Sequence, residues 1–523
     1  MRNIKNPYQA ELISRVDYLI SPEAAKILQD YWHGIFRTTI LELLPVEKIS
    51  KYYSPDMGRP TKELYSMLGL IFIKYFMGWT DEETALQYMT NFAIQYALNV
   101  ECDRVSLSSR TLQRYIQYVR KEKVAEESMI KITAMLLDKL NIRIQEQRLD
   151  STHVFSNMAV FSRRQLCFKI NQRFLIQVKR HNPEKYNNIS KDITELYEKN
   201  EGWIFAETSP MKLQKNGKVY TPVEHLGYDM QRLIERFCND EEFNTKPTYK
   251  DLVRVFSEQF VINDGKTEQV KNTGGKILLN PSDRDAEVGH KGVGYQVQIS
   301  ETCSKENPVQ FVVTAFAEGA SALDQNSFSI VVEQLKEEGH VPEVIYADKG
   351  YGSDKNYVIA QNNDIYLHAP TLAGTTGKKG LEDCKFDENN VMTECPAGNH
   401  PMKNKTTKTS HVALFHVNVC NKCKFKDICT SQKYGKNNRQ FIYNESKLRA
   451  YKRKKIEATD QFKEKYKTRN GIEGLNGRLK QFTPLKRLKI RGRQAVHESI
   501  YSILAMHNVM QAARYAKKMQ KLG

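Results

Sequence analysis

Four residues near the C-terminal end, Tyr466, Arg469, Glu473 and Lys480, are separated by three, four and seven positions, a spacing that puts them on one face of a helix. The face presents one carboxylate amid cations and an aromatic ring. This is the surround a metal-binding acid needs when it works beside a phosphate backbone, although a solvated helix with ordinary charge spacing would read the same from this segment alone. Gly471, Gly474 and Gly477 recur at every third position. Each costs a helix interior roughly 1 kcal/mol relative to alanine. Either the helix is broken here, or the bare stripe admits the close approach of a backbone or a nucleic acid.

Two further acids lie in apolar, strand-like surroundings. Asp150 sits inside Arg148-Leu149-Asp150-Ser151-Thr152-His153-Val154, where an unpartnered carboxylate would be costly unless a cation or a basic side chain neutralises it. His153 reads as a support or substrate contact, or as a structural residue. Asp348 ends the run from Val341 to Ala347, at the carboxyl end of a strand, where α/β sheets keep their sites; a surface turn would explain it alone. Between them, His290 and Lys291 fall in a glycine-bearing loop, as a phosphate contact or a solvated turn. Two aspartates and one glutamate suit hard divalent cations, and two such ions activate a water or 3′-hydroxyl and stabilise the leaving oxygen of a phosphodiester.

The elements that must position these acids follow from periodicity. Residues 1 to 140 read as helical: Pro60 looks like a start signal, the apolar run Leu64 to Phe76 keeps helical spacing until Gly78, and Thr80 with Glu83 forms a capping box. The helix after Ser108 shows Arg110, Arg114, Arg120 and Lys121 outward, as in a DNA-docking helix-turn-helix unit, or in a bundle that dimerises or supports the catalytic part. Beyond Asn141 the order β, β, β, helix, β, helix, with acids on the first and fourth strands, fits an RNase H-like mixed sheet in which those strands are neighbours. The fold class is therefore α/β. An RNase H-like core (141–168, 292–367 and 445–510) follows a helical N-terminal domain (1–140) and is interrupted by a mostly helical insertion (169–291) and a cysteine-containing insertion (368–444); a basic tail (511–523) ends it. Helical stretches are expected at Ser190 to Glu201 and His225 to Asn239. In the second insertion Cys395, Cys420, Cys423 and Cys429 could close a tetrahedral, structural zinc site, with His400, His411 or His416 as substitutes for a cysteine.

Composition sets the outer bounds. A chain of 523 residues with 40% hydrophobic content has room for several cores. Of its net charge of +18, +16 lies between Lys447 and Gly523, with 21 lysines and arginines against 5 acids, so a polyanion would bind there. Nine cysteines are too few for a disulfide scaffold and agree with a reducing compartment. The N-terminus shows no signal peptide, and the most apolar run, Leu64 to Trp79, contains Lys74 and is too short to span a bilayer.

Taken together, these residues resemble the DDE, RNase H-like transposases of bacterial insertion sequences. The Tyr-x2-Arg-x3-Glu-x6-Lys signature of one branch fits Tyr466, Arg469, Glu473 and Lys480 without a gap. The blocks GRPTKELYSMLGL, RLDSTHVFSN, PSDRDAEVGHKG, YADKGYG and CPAG…CNKCKFKDIC are also similar to that family's. The resemblance implies that Asp150, Asp348 and Glu473 hold two Mg2+ or Mn2+ ions and that Tyr466, Arg469 and Lys480 contact the transposon-end DNA; Asn476, Lys291, Arg491 and Arg493 join them as DNA-binding candidates. It implies double-stranded DNA as partner, both the inverted-repeat ends and the target. The protein is expected to act as a homodimer or larger assembly on DNA, in the cytoplasm with the bacterial nucleoid and away from membranes. A nuclease of the same fold without strand transfer, and a non-catalytic DNA-binding repressor, are the alternatives.

Overall fold

The computed structural model describes residues 1–5, 20–100, 105–198, 213–215, 218–220, 222–372, 378–407 and 409–520. In the N-terminal part, α1 (Leu64–Met77) starts later than Pro60 signals. The Glu63 carboxylate accepts the backbone N–H groups of Tyr65 and Ser66, which fixes the first turn at Leu64 and leaves Pro60 in the coil before it. The helix stops at Gly78, whose φ of +70° a side chain would strain. It is buried almost all round, and Lys74 inside it is satisfied by the Trp79 carbonyl at 3.0 Å and Asp81 at 3.2 Å. The Thr80–Glu83 capping box opens α2 (Asp81–Thr90) as its spacing predicts.

Helices α3 (Ser109–Lys121) and α4 (Val124–Lys139) follow. Arg110, Arg114 and Lys121 are exposed, but Arg120 is not an outward residue. Its Nε donates to Glu498 Oε2 at 3.0 Å, because a carboxylate only 5% exposed needs a cation.

The central sheet is mixed. Its strands are β1 (Glu146–Val154), β2 (Glu287–Gly289), β3 (Gly292–Thr302), β4 (Val312–Gly319), β5 (Val344–Ala347) and β6 (Tyr366–His368), in the order β6-β5-β1-β3-β4, with β2 pairing the start of β3. The neighbours β1, β5 and β6 run parallel, whereas β3 is antiparallel to β1, β2 and β4. Between β1 and β2 lie α5 (Arg163–His181), α6 (Lys191–Glu198), α7 (Val223–Phe237) and α8 (Pro247–Gln259), with two short antiparallel strand pairs, Leu213–Lys215 against Lys218–Tyr220 and Phe260–Asn263 against Lys266–Gln269. The end of the stretch expected to reach Glu201 lies outside the described residues.

After β4 come α9 (Asp324–Glu337) and, beyond β5, α10 (Asp354–Gln361). A separate four-stranded sheet follows, β7 (Lys403–Thr406), β8 (His411–His416), β9 (Gln432–Tyr434) and β10 (Asn438–Tyr443), in the order β7-β8-β10-β9. The chain ends in helices: α11 (Glu445–Glu457), α12 (Asp460–Tyr466), α13 (Gly471–Phe482) and α14 (Arg493–Gln520). The last absorbs most of what reads as a basic tail, with Ala512 and Ala513 buried; residues 521–523 lie outside the described residues.

One hydrophobic core runs from Trp32 in the N-terminal helices, through the sheet, to Ala513 in α14. Helix α14 also covers the edge strand β4, whose open backbone groups would otherwise be unpaired. Asn508 accepts from the Val312 N–H at 3.0 Å, donates to the Val312 carbonyl at 2.8 Å, and reaches Thr133 on α4. Helices α5–α8 enclose a second core, and β8 and β10 with α11 a smaller third one. Among the described residues no helix is long and apolar enough to cross a membrane.

Candidate active site

Asp150, inside β1, and Asp348, just past the end of β5, stand side by side. Leu149 pairs with Ala347 in the parallel register of β1 and β5, and each aspartate is the next residue in the chain. Burial pushes the Asp150 carboxyl up to about 6; the Arg469 guanidinium works against this, and the neighbouring Asp348 adds to it. Burial also raises the Asp348 carboxyl, with Asp324 reinforcing it. Two desolvated acids that each hold a proton too tightly are in the condition that a bound cation relieves.

Contrary to what their spacing predicts, Tyr466, Arg469, Glu473 and Lys480 do not share one α-helix. Helix α12 ends at Tyr466, a 3-10 turn takes Lys467–Asn470, and α13 starts at Gly471. The tighter turn changes the angular step between side chains. Arg469 and Glu473 nonetheless meet, NH1 to Oε1 at 3.0 Å, and the other arm of Arg469 lies 3.6 Å from Asp150 Oδ2. The guanidinium thus stands between the two acids, with Glu473 65% exposed on its far side. Asn476 donates to Asp150 Oδ2 at 3.3 Å, leaving its own buried Oδ1 without a partner.

The glycines of this segment differ in function. A Cβ on Gly471 would lie 1.5 Å from Arg148 NH1, because α13 presses its first turn onto the strand carrying Asp150. Arg148 is held in turn by Glu301 on β3, Nε to Oε2 at 2.6 Å. Gly477 has open space above it and Gly474 only the tip of Arg478 at 3.8 Å, so the bare stripe is real over these two residues and is filled at the first.

Around this centre the other candidates divide. Lys480 is lowered by burial and then by Lys291, with Asp150 opposing them, so these two lysines flank the acid with no carboxylate ion pair of their own among the described contacts. His153 is buried, bonds the Val293 backbone and has its Nε2 unpartnered. Tyr466 stacks over Phe462 at 6.0 Å and His368 at 6.3 Å. Arg491 bonds the Asn157 carbonyl, and Arg493 lies 3.9 Å from Glu287 and donates its N–H to Asp285 at 3.0 Å, so both fasten the entry to α14.

Asp324, the first residue of α9, is an acid that spacing does not reveal. Its Oδ2 and Asp348 Oδ1 lie 3.1 and 2.9 Å from the point where a Cβ on Gly350 would stand. Gln296 and Gln298 hold its other oxygen at 2.6 and 3.2 Å, and Gln298 also accepts from the buried Tyr351 hydroxyl. An acid opening a helix is ordinary in sequence. Its only signal there is the pair of glutamines alternating on the facing strand.

Among the described residues no three His, Cys, Asp or Glu side chains are already drawn to metal-binding distances. The donor set nevertheless fits Mg2+ or Mn2+ in kind: two half-buried carboxylates and an unpartnered amide oxygen are hard oxygen ligands. Glu473 is paired with Arg469 at 3.0 Å. The four cysteines line one cavity away from this centre. His400, His411 and His416 do not line it: His400 bonds the Thr393 carbonyl, His411 stacks on Tyr443, and His416 caps a short helix.

Two family models match the chain. Residues 394–513, which include Glu473, match a family described as Transposase DDE domain, and residues 29–118 match one described as Transposase domain (DUF772). No curated protein and no solved structure matches. Over these two segments the chain is similar to transposases, which supports an insertion-sequence transposase of the DDE kind.

Proposed function

We propose that the protein binds the terminal inverted repeats of its own element as a homodimer or larger assembly, cleaves the DNA strands there and joins them to target DNA. The observation that carries this reading is the adjacency of Asp150 and Asp348, with Arg469 bridging from Asp150 to Glu473. A sheet with three antiparallel and two parallel main strands, both acids at its centre and the glutamate on a C-terminal helix, is what an RNase H-like core requires. Two Mg2+ or Mn2+ ions would supply activation of the attacking oxygen and stabilisation of the leaving one.

The protein's own groups have distinct tasks. Asp150 and Asp348 offer fixed oxygens on rigid strands. Arg469 keeps Glu473 near them until a DNA phosphate competes for the guanidinium, which forms charge-assisted bonds with phosphate as readily as with carboxylate. Lys480, whose charge is disfavoured by burial and by the charge of Lys291, gains from a phosphate together with Lys291, and Tyr466 and Asn476 line the approach. Zinc, if bound by the cysteines, is structural, and the +16 segment from residue 447 onward attracts the duplex.

The test is cleavage and joining of end-containing DNA in Mg2+ by purified Asp348→Ala protein. A loss of about a thousandfold or more is expected for removal of a metal ligand. Cleavage at the parental rate would overturn the reading, and cleavage without joined product in the parent protein would make it a nuclease.

A further inference from the structure

The cysteines after β6 are side chains of a metal-ligating type that the proposed chemistry leaves unused. Cys395, Cys420, Cys423 and Cys429 all line one cavity of about 20 Å³ with Phe415, Phe425 and Phe441. A space of that size takes one water or one ion and no organic ligand. All four thiols are free of disulfides.

Each pair of turns around the cavity is built to hold sulfur. The Gly398 N–H closes on the Cys395 carbonyl at 2.8 Å, with Gly398 at φ +81°, and the Cys423 N–H closes on the Cys420 carbonyl at 3.2 Å. Within these turns donors point at sulfur: the Asn399 amide lies 3.7 Å from Cys395 Sγ, and the Phe425 backbone N–H lies 3.4 Å from Cys423 Sγ. A thiol is a weak acceptor and gains little from them, whereas a thiolate gains a charge-assisted bond. Lys426 and Arg439 line the same cavity, where they offset the net negative charge of four thiolates around a divalent ion. Four cysteines that served only as small hydrophobic filler would require neither the donors nor the cations. The surrounding core also needs support, since it comprises only eight buried residues among those described.

From the shared cavity and its sulfur-directed donors we infer that Cys395, Cys420, Cys423 and Cys429, not drawn to metal-binding distances as they stand, close around one zinc ion as its four ligands, a structural site that ties the two turns to β8 and β10. On loading, four S–H bonds are lost to four S–Zn bonds of about 2.3 Å, and four protons pass to solvent. Sulfur donors favour zinc over magnesium, so this site and the carboxylate centre take different ions. The inference stands apart from the transposition reading.

The full-length chain, purified without chelator, should carry about one zinc per chain, and cobalt substituted for it should show the thiolate charge-transfer band of a tetrahedral site. Cys423→Ser should lower zinc content at least about tenfold, and Asp348→Ala should leave it unchanged. Zinc near zero in folded protein whose four thiols react freely, zinc retained by Cys423→Ser, or a disulfide among the four would each overturn the assignment. Should Cys423→Ser fail to fold, titrating the unaltered protein with a mercurial decides: release of zinc in step with four thiols supports the site, and no release refutes it.

Discussion

The two sides of α13 use the same pair of residue types for opposite ends. On the inner side, Arg148 and Glu301 meet with the glutamate wholly buried and the arginine 13% exposed. On the outer side, Arg469 meets a Glu473 that is 65% exposed. Removing one partner of a buried pair strands the other charge, whereas an exposed pair is screened and contributes little to stability. The inner pair fixes where the helix lies; the outer one is free to exchange its partner. Holding a helix firmly from below is what lets its upper face keep a loosely tied acid in register with two aspartates.

This contrast can be broken or sharpened by measurement. The largest effect belongs to the inner side: Glu301→Ala should cost about 3 to 5 kcal/mol in denaturant unfolding. Gly471→Ala should also be strongly destabilising, because its methyl group would overlap the Arg148 guanidinium. A loss under about 1 kcal/mol for Glu301→Ala would place the inner pair with ordinary surface contacts.

Next comes Asp150, whose carboxyl is held at about 6 in the folded protein, above the ordinary value near 3.9 of an unfolded chain. The folded state then binds the proton more tightly, so this contribution is full below about pH 4 and is lost as pH rises to about 6. Without divalent ions, Asp150→Asn should therefore be more stable than its parent at pH 7 by on the order of 2 kcal/mol and nearly equal to it at pH 4. A thermal melt series over that window checks the sign; a parent more stable than the variant at pH 7 would reverse it.

Smaller again, Gly474→Ala and Gly477→Ala should each stabilise the helix by up to about 1 kcal/mol, since open space awaits the methyl group. If DNA lies along the stripe, binding should weaken in the same variants. The smallest stability effect is expected for Glu473→Gln, under about 0.5 kcal/mol for an exposed pair, alongside loss of cleavage. Comparable losses of stability for Glu473→Gln and Glu301→Ala would erase the distinction between the two sides.

What sequence reading recovered was local, or fixed by strand order. The Thr80–Glu83 box is an interaction across three residues, and Asp150 and Asp348 stand out as acids in apolar runs whose adjacency follows once their strands are neighbours. What it missed depends on contacts between distant segments. Arg120 reads as an outward cation because its partner, Glu498, comes 378 residues later. Gly471 reads as one of three equivalent glycines because nothing nearby announces the arginine beneath it. Asp324 looks like an unremarkable helix start until β3 brings Gln296 and Gln298 against it. Pro60 is a sound start signal that a better-placed acid, Glu63, overrides.

Helix α14 packs between α1, α4 and β4 and joins the sheet edge where the Asn508 side chain pairs with the Val312 backbone. Helices α1 and α4, far earlier in the chain, therefore share an interior that is sealed only once α14 packs on it. Cutting the chain before α14 would thus open the interior that α1 and α4 share, rather than remove a dispensable tail.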